Sequence, residues 1–326
     1  MTPAAIPTIG VFDSGFGGLT VLRALIERMP LARFAFLGDT ARLPYGSKSR
    51  RTIARYAVQS AQFLVEQQGA EFLVIACNTA SALALDAIQQ AVPVPVLGVI
   101  DPGAQAARAA SHSGDVLVIA TDATVQSHAY TAACRAQSLR ALEKACPLLV
   151  PLVEEGWTSH PVTEQVVRIY LDELSADAAS QGLKPDALVL GCTHYPLLRP
   201  LIQRVAPAGI TVIDSAESTA DAALRLFNGR AGQIQTAEKL DTRQVSCQGT
   251  TSVVPQDTQK EHGALAPAGA PSMPRSLRHG WEDSQSQTTE TEIHCFATDS
   301  VEKFQRLGSR FLGRPVGPVE LIDLGG

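Results

Sequence analysis

Two stretches of this chain end in the same way. Glu71-Phe-Leu-Val-Ile-Ala-Cys77-Asn-Thr and Asp186-Ala-Leu-Val-Leu-Gly-Cys192-Thr-His each pass through a short apolar run, a small residue and a thiol, then two polar side chains. The two cysteines lie 115 positions apart (192 − 77). An apolar run without alternation fits a parallel strand buried on both faces. The carboxyl end of such a strand is where an open α/β sheet presents side chains to a ligand. The duplicated unit therefore predicts a symmetric site with one sulfur on each side of a substrate.

The rest of the chain alternates strand and helix patterns, which implies parallel sheets with helices on both faces. Strands are expected at Ile9–Phe12, Arg33–Leu37 and Phe72–Ala76, and helices at Leu19–Arg28, Thr52–Gln68 and Ala80–Ala91. The pattern then recurs. Gly98–Gly103 echoes Gly10–Gly15, Val116–Asp122 echoes Phe34–Asp39, and Ala187–Cys192 echoes Phe72–Cys77. Three matches in one order predict two similar, pseudo-symmetric α/β domains with mainly parallel sheets and a cleft between them. The first is expected over residues 1–98 plus 211–326 and the second over 99–210. The chain is taken to return to the first domain with the strand Ile210–Ile213 and the helix Ala220–Phe227. Residues 241–290 are rich in Gln, Ser, Thr, Pro and Gly and supply too little apolar surface to offset their conformational entropy. They are expected to be a disordered insertion. Order is expected to resume with a strand at Glu292–Thr298 and an amphipathic helix from Val301 to Leu312.

At 326 residues the chain exceeds the size at which one core keeps growing, so two domains is also the natural expectation from length. A net charge of −5 and scattered Lys and Arg give no footprint for nucleic acid. The amino-terminal residues carry no secretory pattern, and no apolar run approaches the ~20 residues of a membrane span. Six cysteines without regular spacing point to free thiols in a reducing cytoplasm. No Cys/His cluster has zinc spacing, so no metal site is expected. No lysine has the context of a Schiff-base residue, so a pyridoxal phosphate enzyme is disfavoured.

Two acid–base groups on opposite faces of one carbon are what inversion of a stereocentre requires. One thiolate removes the proton and the opposite thiol returns another. A thiol near a helix start and polar donors has its pKa drawn towards neutrality. Asn78 and Thr79 stand beside one sulfur, Thr193 and His194 beside the other. A hydrolase would need one cysteine with one histidine base, so Cys192 with His194 alone is the competing reading. Asp13-Ser14-Gly-Phe-Gly-Gly18 follows the first strand, and its glycines permit a tight turn whose amides suit a carboxylate. Asp13 itself suits an ammonium group or support of the nearby thiol.

Together, Val11–Gly18, Gly38-Asp-Thr-Ala-Arg-Leu-Pro-Tyr-Gly46, Ala76-Cys-Asn-Thr79, Pro151-Leu-Val-Glu-Glu-Gly156 and Gly191-Cys-Thr-His-Tyr-Pro196 resemble the cofactor-independent aspartate/glutamate racemase superfamily. The likeness runs over about residues 9–230 and resumes near 292. It implies an isomerase that interconverts L- and D-glutamate with no cofactor and supplies D-glutamate for peptidoglycan, with aspartate as the alternative substrate. It further implies that Cys77 acts on the D-isomer and Cys192 on the L-isomer, assisted by Asp13 and His194. Glu154 is the carboxylate implied to orient His194, with Glu155 as the neighbouring register. Ser14, Tyr45, Gly46, Asn78, Thr79, Thr193 and His194 are implied to hold the substrate, with Thr121 and Thr124 as further contacts. A small-molecule substrate and a homodimer are the expected partners. A non-catalytic amino-acid-binding protein on the same frame is the reading from another class.

Overall fold

The computed structural model describes residues 6–228 and 291–325, and the expected insertion at 241–290 lies outside them. The amino-terminal part runs β1 (Thr8–Asp13), α1 (Leu19–Arg28), β2 (Arg33–Gly38), α2 (Arg50–Gln62), β3 (Phe72–Ile75), α3 (Asn78–Leu83), α4 (Leu85–Ala91) and β4 (Val96–Gly98). A second series follows: α5 (Ile100–Ala110), β5 (Asp115–Ala120), α6 (Asp122–Ser127), α7 (Ala129–Ala136), β6 (Arg140–Ala145), α8 (Leu149–Glu154), α9 (Pro161–Ser180), β7 (Ala187–Gly191), α10 (Arg199–Val205) and β8 (Thr211–Asp214). A helix over residues 215–228 (α11) continues from β8. The carboxy-terminal part supplies β9 (Ile293–Ala297), α12 (Val301–Leu312) and β10 (Val319–Leu321).

Two sheets result, and every described strand pairing in them is parallel. One has the order β10-β9-β2-β1-β3-β4 and the other β6-β5-β7-β8. The central strands are buried on both faces, as their unbroken apolar runs require. Along β1 and β2, Val11 and Phe36 join the core shared with α1 and α12, whereas Phe12 and Leu37 pack with Ile53, Ala57 and Leu64 on the α2 side. Period-two alternation thus feeds two apolar layers from one strand. Phe304, Leu307 and Phe311 bury one face of α12, as its sequence pattern predicted.

Several expectations change. β8 hydrogen-bonds to β7, so the strand assigned to the return into the first domain completes the second sheet instead. The two sheets do repeat each other: β2-β1-β3-β4 and β6-β5-β7-β8 share one order, so β5 corresponds to β1 and β7 to β3. The echo of Val116–Asp122 with Phe34–Asp39 was thus one strand out of register. The echo at Gly98–Gly103 is not a strand, because Asp101 lies in the first turn of α5. The helix expected over Ala80–Ala91 is two, interrupted where Ala84 takes φ −132° and ψ −3°.

Candidate active site

Both thiols stand at carboxyl ends of equivalent strands, one per sheet, and line a single cavity of about 460 Å³. Cys77 caps α3, its sulfur accepting from the Ala80 amide at 3.4 Å and lying 3.4 Å from Ser14 Oγ. The turn behind it is braced by Ser81, which donates to the Ile75 carbonyl at 2.9 Å and accepts from the Val99 amide at 3.2 Å. Cys192 differs from expectation in its helix: a short 3-10 turn, Tyr195–Leu198, follows it before α10. Tyr195 fixes that turn by donating to the carbonyls of Cys146 at 2.9 Å and Ala120 at 3.2 Å, which join it to the ends of β6 and β5. Both cysteines are buried, at 5% and 6% exposure for Cys77 and Cys192.

Around Cys192 the polar groups form a chain. His194 Nδ1 lies 3.9 Å from the sulfur and Nε2 3.2 Å from Glu154 Oε1. The carboxylate that meets the ring is therefore Glu154, and Glu155 is exposed. Burial alone would lower the pKa of His194, but its bonds to Cys192 and Glu154 outweigh this and raise it to about 10. The ring is thus an imidazolium at neutral pH. Glu154 is held below its ordinary range, its own burial being outweighed by the bond to His194. Phe311 stands edge-on to the imidazole at 5.0 Å, and Gly17 passes beneath it. A side chain at Gly17 would place Cβ 2.3 Å from Thr193 Oγ1 and 2.7 Å from His194 Nδ1, so only glycine permits this approach.

Around Cys77 the environment is less compensated. Burial, then the charge of Asp13, pushes its thiol up to about 12. Asp13 is buried behind it, with Oδ2 accepting from the Gly15 amide at 2.9 Å and Oδ1 lacking any described partner. Burial raises its pKa, opposed by the Gly15 amide and the charge of His194.

The remaining predicted residues converge as well. Ser14, Tyr45, Gly46, Asn78, Thr79, Thr121 and Thr193 all line the cavity. Thr124 sits one layer behind, bonded to Thr121 at 3.0 Å and within 3.4 Å of Thr79 Oγ1. Asn78 Oδ1 accepts from Tyr130 at 2.7 Å, while its Nδ2 is buried without a described partner. Tyr45 donates to Asp39 at 2.6 Å, and Thr298 to the other oxygen of that carboxylate at 2.9 Å. Sequence reasoning missed Asp122, Val150 and Lys303 as lining residues. Asp122 is the first residue of α6, following the N-cap Thr121. Lys303 could not be found from local pattern, since it joins the wall only through the packing of α12. Among the described residues no three His, Cys, Asp or Glu side chains converge as metal ligands. No described helix is long and apolar enough to cross a membrane.

The chain itself matches a known family over most of its length. Residues 20–223 fit the model of the Asp/Glu/hydantoin racemases, and the chain belongs to that family: it is an amino-acid racemase, an isomerase. Within the family it falls with the glutamate racemases. The glutamate racemase of Koribacter versatilis is 51% identical over 322 residues, covering 98% of both chains. Among solved structures, that of glutamate racemase from Francisella tularensis with D-glutamate has a TM-score of 0.72 at 30% identity, covering 98% of both chains. The Thermus thermophilus glutamate racemase with β-chloro-D-alanine gives 0.69 at 36% identity, over 98% of this chain and 97% of the other.

Proposed function

We propose that this chain interconverts L- and D-glutamate without a cofactor, Cys77 and Cys192 serving as the two proton-exchanging groups. The observation that carries the reading is that two thiols on equivalent strands of two sheets face one cavity, each beside its own set of polar side chains. From L-glutamate, the Cys192 thiolate takes the α-proton, and the C–H electron pair passes to the α-carbon and into its carboxylate. The Cys77 thiol then donates its proton to the opposite face and remains as thiolate. D-glutamate traverses the same steps in reverse.

The neighbouring residues divide the work. His194, held as a cation 3.9 Å from the sulfur, offsets the charge of a Cys192 that has lost its proton. Glu154 fixes the ring so that Nδ1, not Nε2, faces the sulfur. Asp13 assists Cys77, whose raised pKa suits a proton donor; the substrate ammonium, drawn beside Asp13, favours the thiolate when Cys77 acts as base. The unpartnered Nδ2 of Asn78, with the Ser14, Thr79 and Thr193 hydroxyls, supplies donors for substrate carboxylate. Tyr45 and Gly46 form the facing wall, while Thr121 and Thr124 hold Thr79 in place. The two halves, split after Asp214, act as separate lobes that close on the substrate. The enzyme works in the cytoplasm as a homodimer and supplies D-glutamate for peptidoglycan and hence the cell wall.

The test is circular dichroism on the purified chain with either pure enantiomer. Both samples should converge on the racemate, with aspartate converted far more slowly. No optical change with either glutamate isomer overturns the assignment. Cys77→Ser and Cys192→Ser should each abolish racemisation. A cysteine hydrolase built on Cys192 and His194 would be indifferent to Cys77.

A further inference from the structure

Tyr130, the second residue of α7, is fully buried and stands outside the residues that line the cavity, yet it touches both thiol loops. Its ring lies between two glycines. A side chain at Gly103 would place Cβ 3.3 Å from Tyr130 Cε1, and one at Gly191 would place it 2.9 Å from Cε2. Gly191 immediately precedes Cys192, so the ring packs against the backbone that carries the second thiol. At its other end the phenol donates to Asn78 Oδ1 at 2.7 Å, and Asn78 immediately follows Cys77.

A carboxamide has two ends of opposite character, a carbonyl that accepts and an NH2 that donates. Asn78 is a buried lining residue whose Nδ2 has no described partner. Which end faces the cavity is decided from behind. Burial holds the Tyr130 phenol well above its ordinary range, so it keeps its proton and must place it on an acceptor. Oδ1 of Asn78 is the described acceptor of that proton. The opposite carboxamide orientation would take this acceptor away from the phenol. It would also turn an oxygen, rather than an N–H, towards a carboxylate substrate. Both costs act in the same direction.

We propose that Tyr130 is a positioning residue: by holding Oδ1 of Asn78 it keeps the Nδ2 donor free for the α-carboxylate of the substrate. The inference rests on the racemase reading and deepens it. When the α-proton leaves, its electron pair spreads into that carboxylate and the oxygens gain charge. A fixed N–H there stabilises the carbanion more than it stabilises the bound substrate. The ring seated on Gly191 ties this donor, carried by the Cys77 loop, to the backbone of the Cys192 loop, so both directions of the reaction meet the same donor geometry.

Tyr130→Phe keeps the ring between the glycines and deletes only the hydroxyl. The experiment compares it with wild type, Asn78→Ala and the double variant in steady-state racemisation of L- and D-glutamate. Tyr130→Phe alone should lower kcat/KM about five- to thirtyfold for both enantiomers, but by less than about twofold in the Asn78→Ala background. A merely structural role would give the same loss in both backgrounds, and that result overturns the proposal, as does wild-type kcat/KM in the single variant. A second measurement leaves Tyr130 intact. With carbon-13 placed at Cζ of Tyr130, Asn78→Ala should move that resonance by removing the acceptor of the phenol proton. An unmoved resonance overturns the proposal whether or not Tyr130→Phe folds. Failure of the wild type to racemise glutamate would instead overturn the parent reading.

Discussion

Glu154→Gln removes the charge facing His194 while leaving an oxygen able to accept from Nε2, so ring orientation is kept. A unit charge 3.2 Å away is worth about 3–5 kcal/mol at an effective dielectric of 20–40. Glu154 is a quarter exposed, at 24%, so the lower end applies, and about 3 kcal/mol corresponds to about two pKa units. The imidazolium, near 10 in the native protein, should then titrate near about 8 in the variant. At neutral pH most of the ring remains charged and racemisation should fall less than about tenfold; by pH ~9 it should fall much further. Both enantiomers must lose kcat/KM equally, because the equilibrium constant between enantiomers is one. The assay is the pH profile of kcat/KM for wild type and variant, paired with the carbon chemical shift of the His194 ring. The substrate ammonium titrates alike with both proteins, so the difference between profiles isolates the ring. An alkaline limb at the same pH in both would refute the claim that Glu154 sustains the cation.

Gly17→Ala would force Cβ within 2.3 Å of Thr193 Oγ1 and 2.7 Å of His194 Nδ1, costing about 1–3 kcal/mol; thermal denaturation should show a lowered Tm together with lost turnover, and an unchanged Tm contradicts the packing. Stability should fall as pH rises. His194 keeps its proton to about 10 and Cys77 to about 12 in the native state. The unfolded chain releases these protons near 6.5 and 9.0. The native state therefore binds more protons throughout that window and loses stability across it. Urea unfolding at several pH values between 6 and 10 checks this, and constant or rising stability would contradict it. Tyr45→Phe deletes the 2.6 Å bond to buried Asp39 and should cost about 1–3 kcal/mol, read by the same unfolding assay.

What could be read from sequence divides along physical lines. β1, β3, β5 and β7 were legible because doubly buried parallel strands must be apolar throughout, and the polar residues that follow such strands are those the fold exposes. That is why the sequence alone groups Cys77, Cys192, Asn78, Thr79 and His194. β6, by contrast, reads Arg-Ala-Leu-Glu-Lys-Ala and is a half-buried edge strand, so its charges hid it. Without it, β5 was matched to β2 rather than β1, and β8 was assigned to the wrong sheet. The reason is general: apolar content identifies a central strand, but strand order is decided by pairing, which leaves no local mark. α12 illustrates the other limit. Its amphipathic pattern was evident, yet that Phe311 walls His194 and Lys303 lines the cavity depends on packing across more than a hundred residues of chain.

The central claim is that two different sulfurs serve the two faces of one carbon, and proton bookkeeping tests it most directly. Ordinary L-glutamate is incubated with the enzyme in deuterated water, the reaction is stopped early, and both enantiomers are separated and analysed for α-deuterium. If Cys192 removes the proton and Cys77 delivers one drawn from solvent, the D-glutamate formed should carry deuterium while the remaining L-glutamate keeps its original hydrogen. D-glutamate that retains the substrate's own hydrogen, or L-glutamate that gains deuterium as fast as product forms, would mean that one group serves both faces, and the two-thiol mechanism would be wrong.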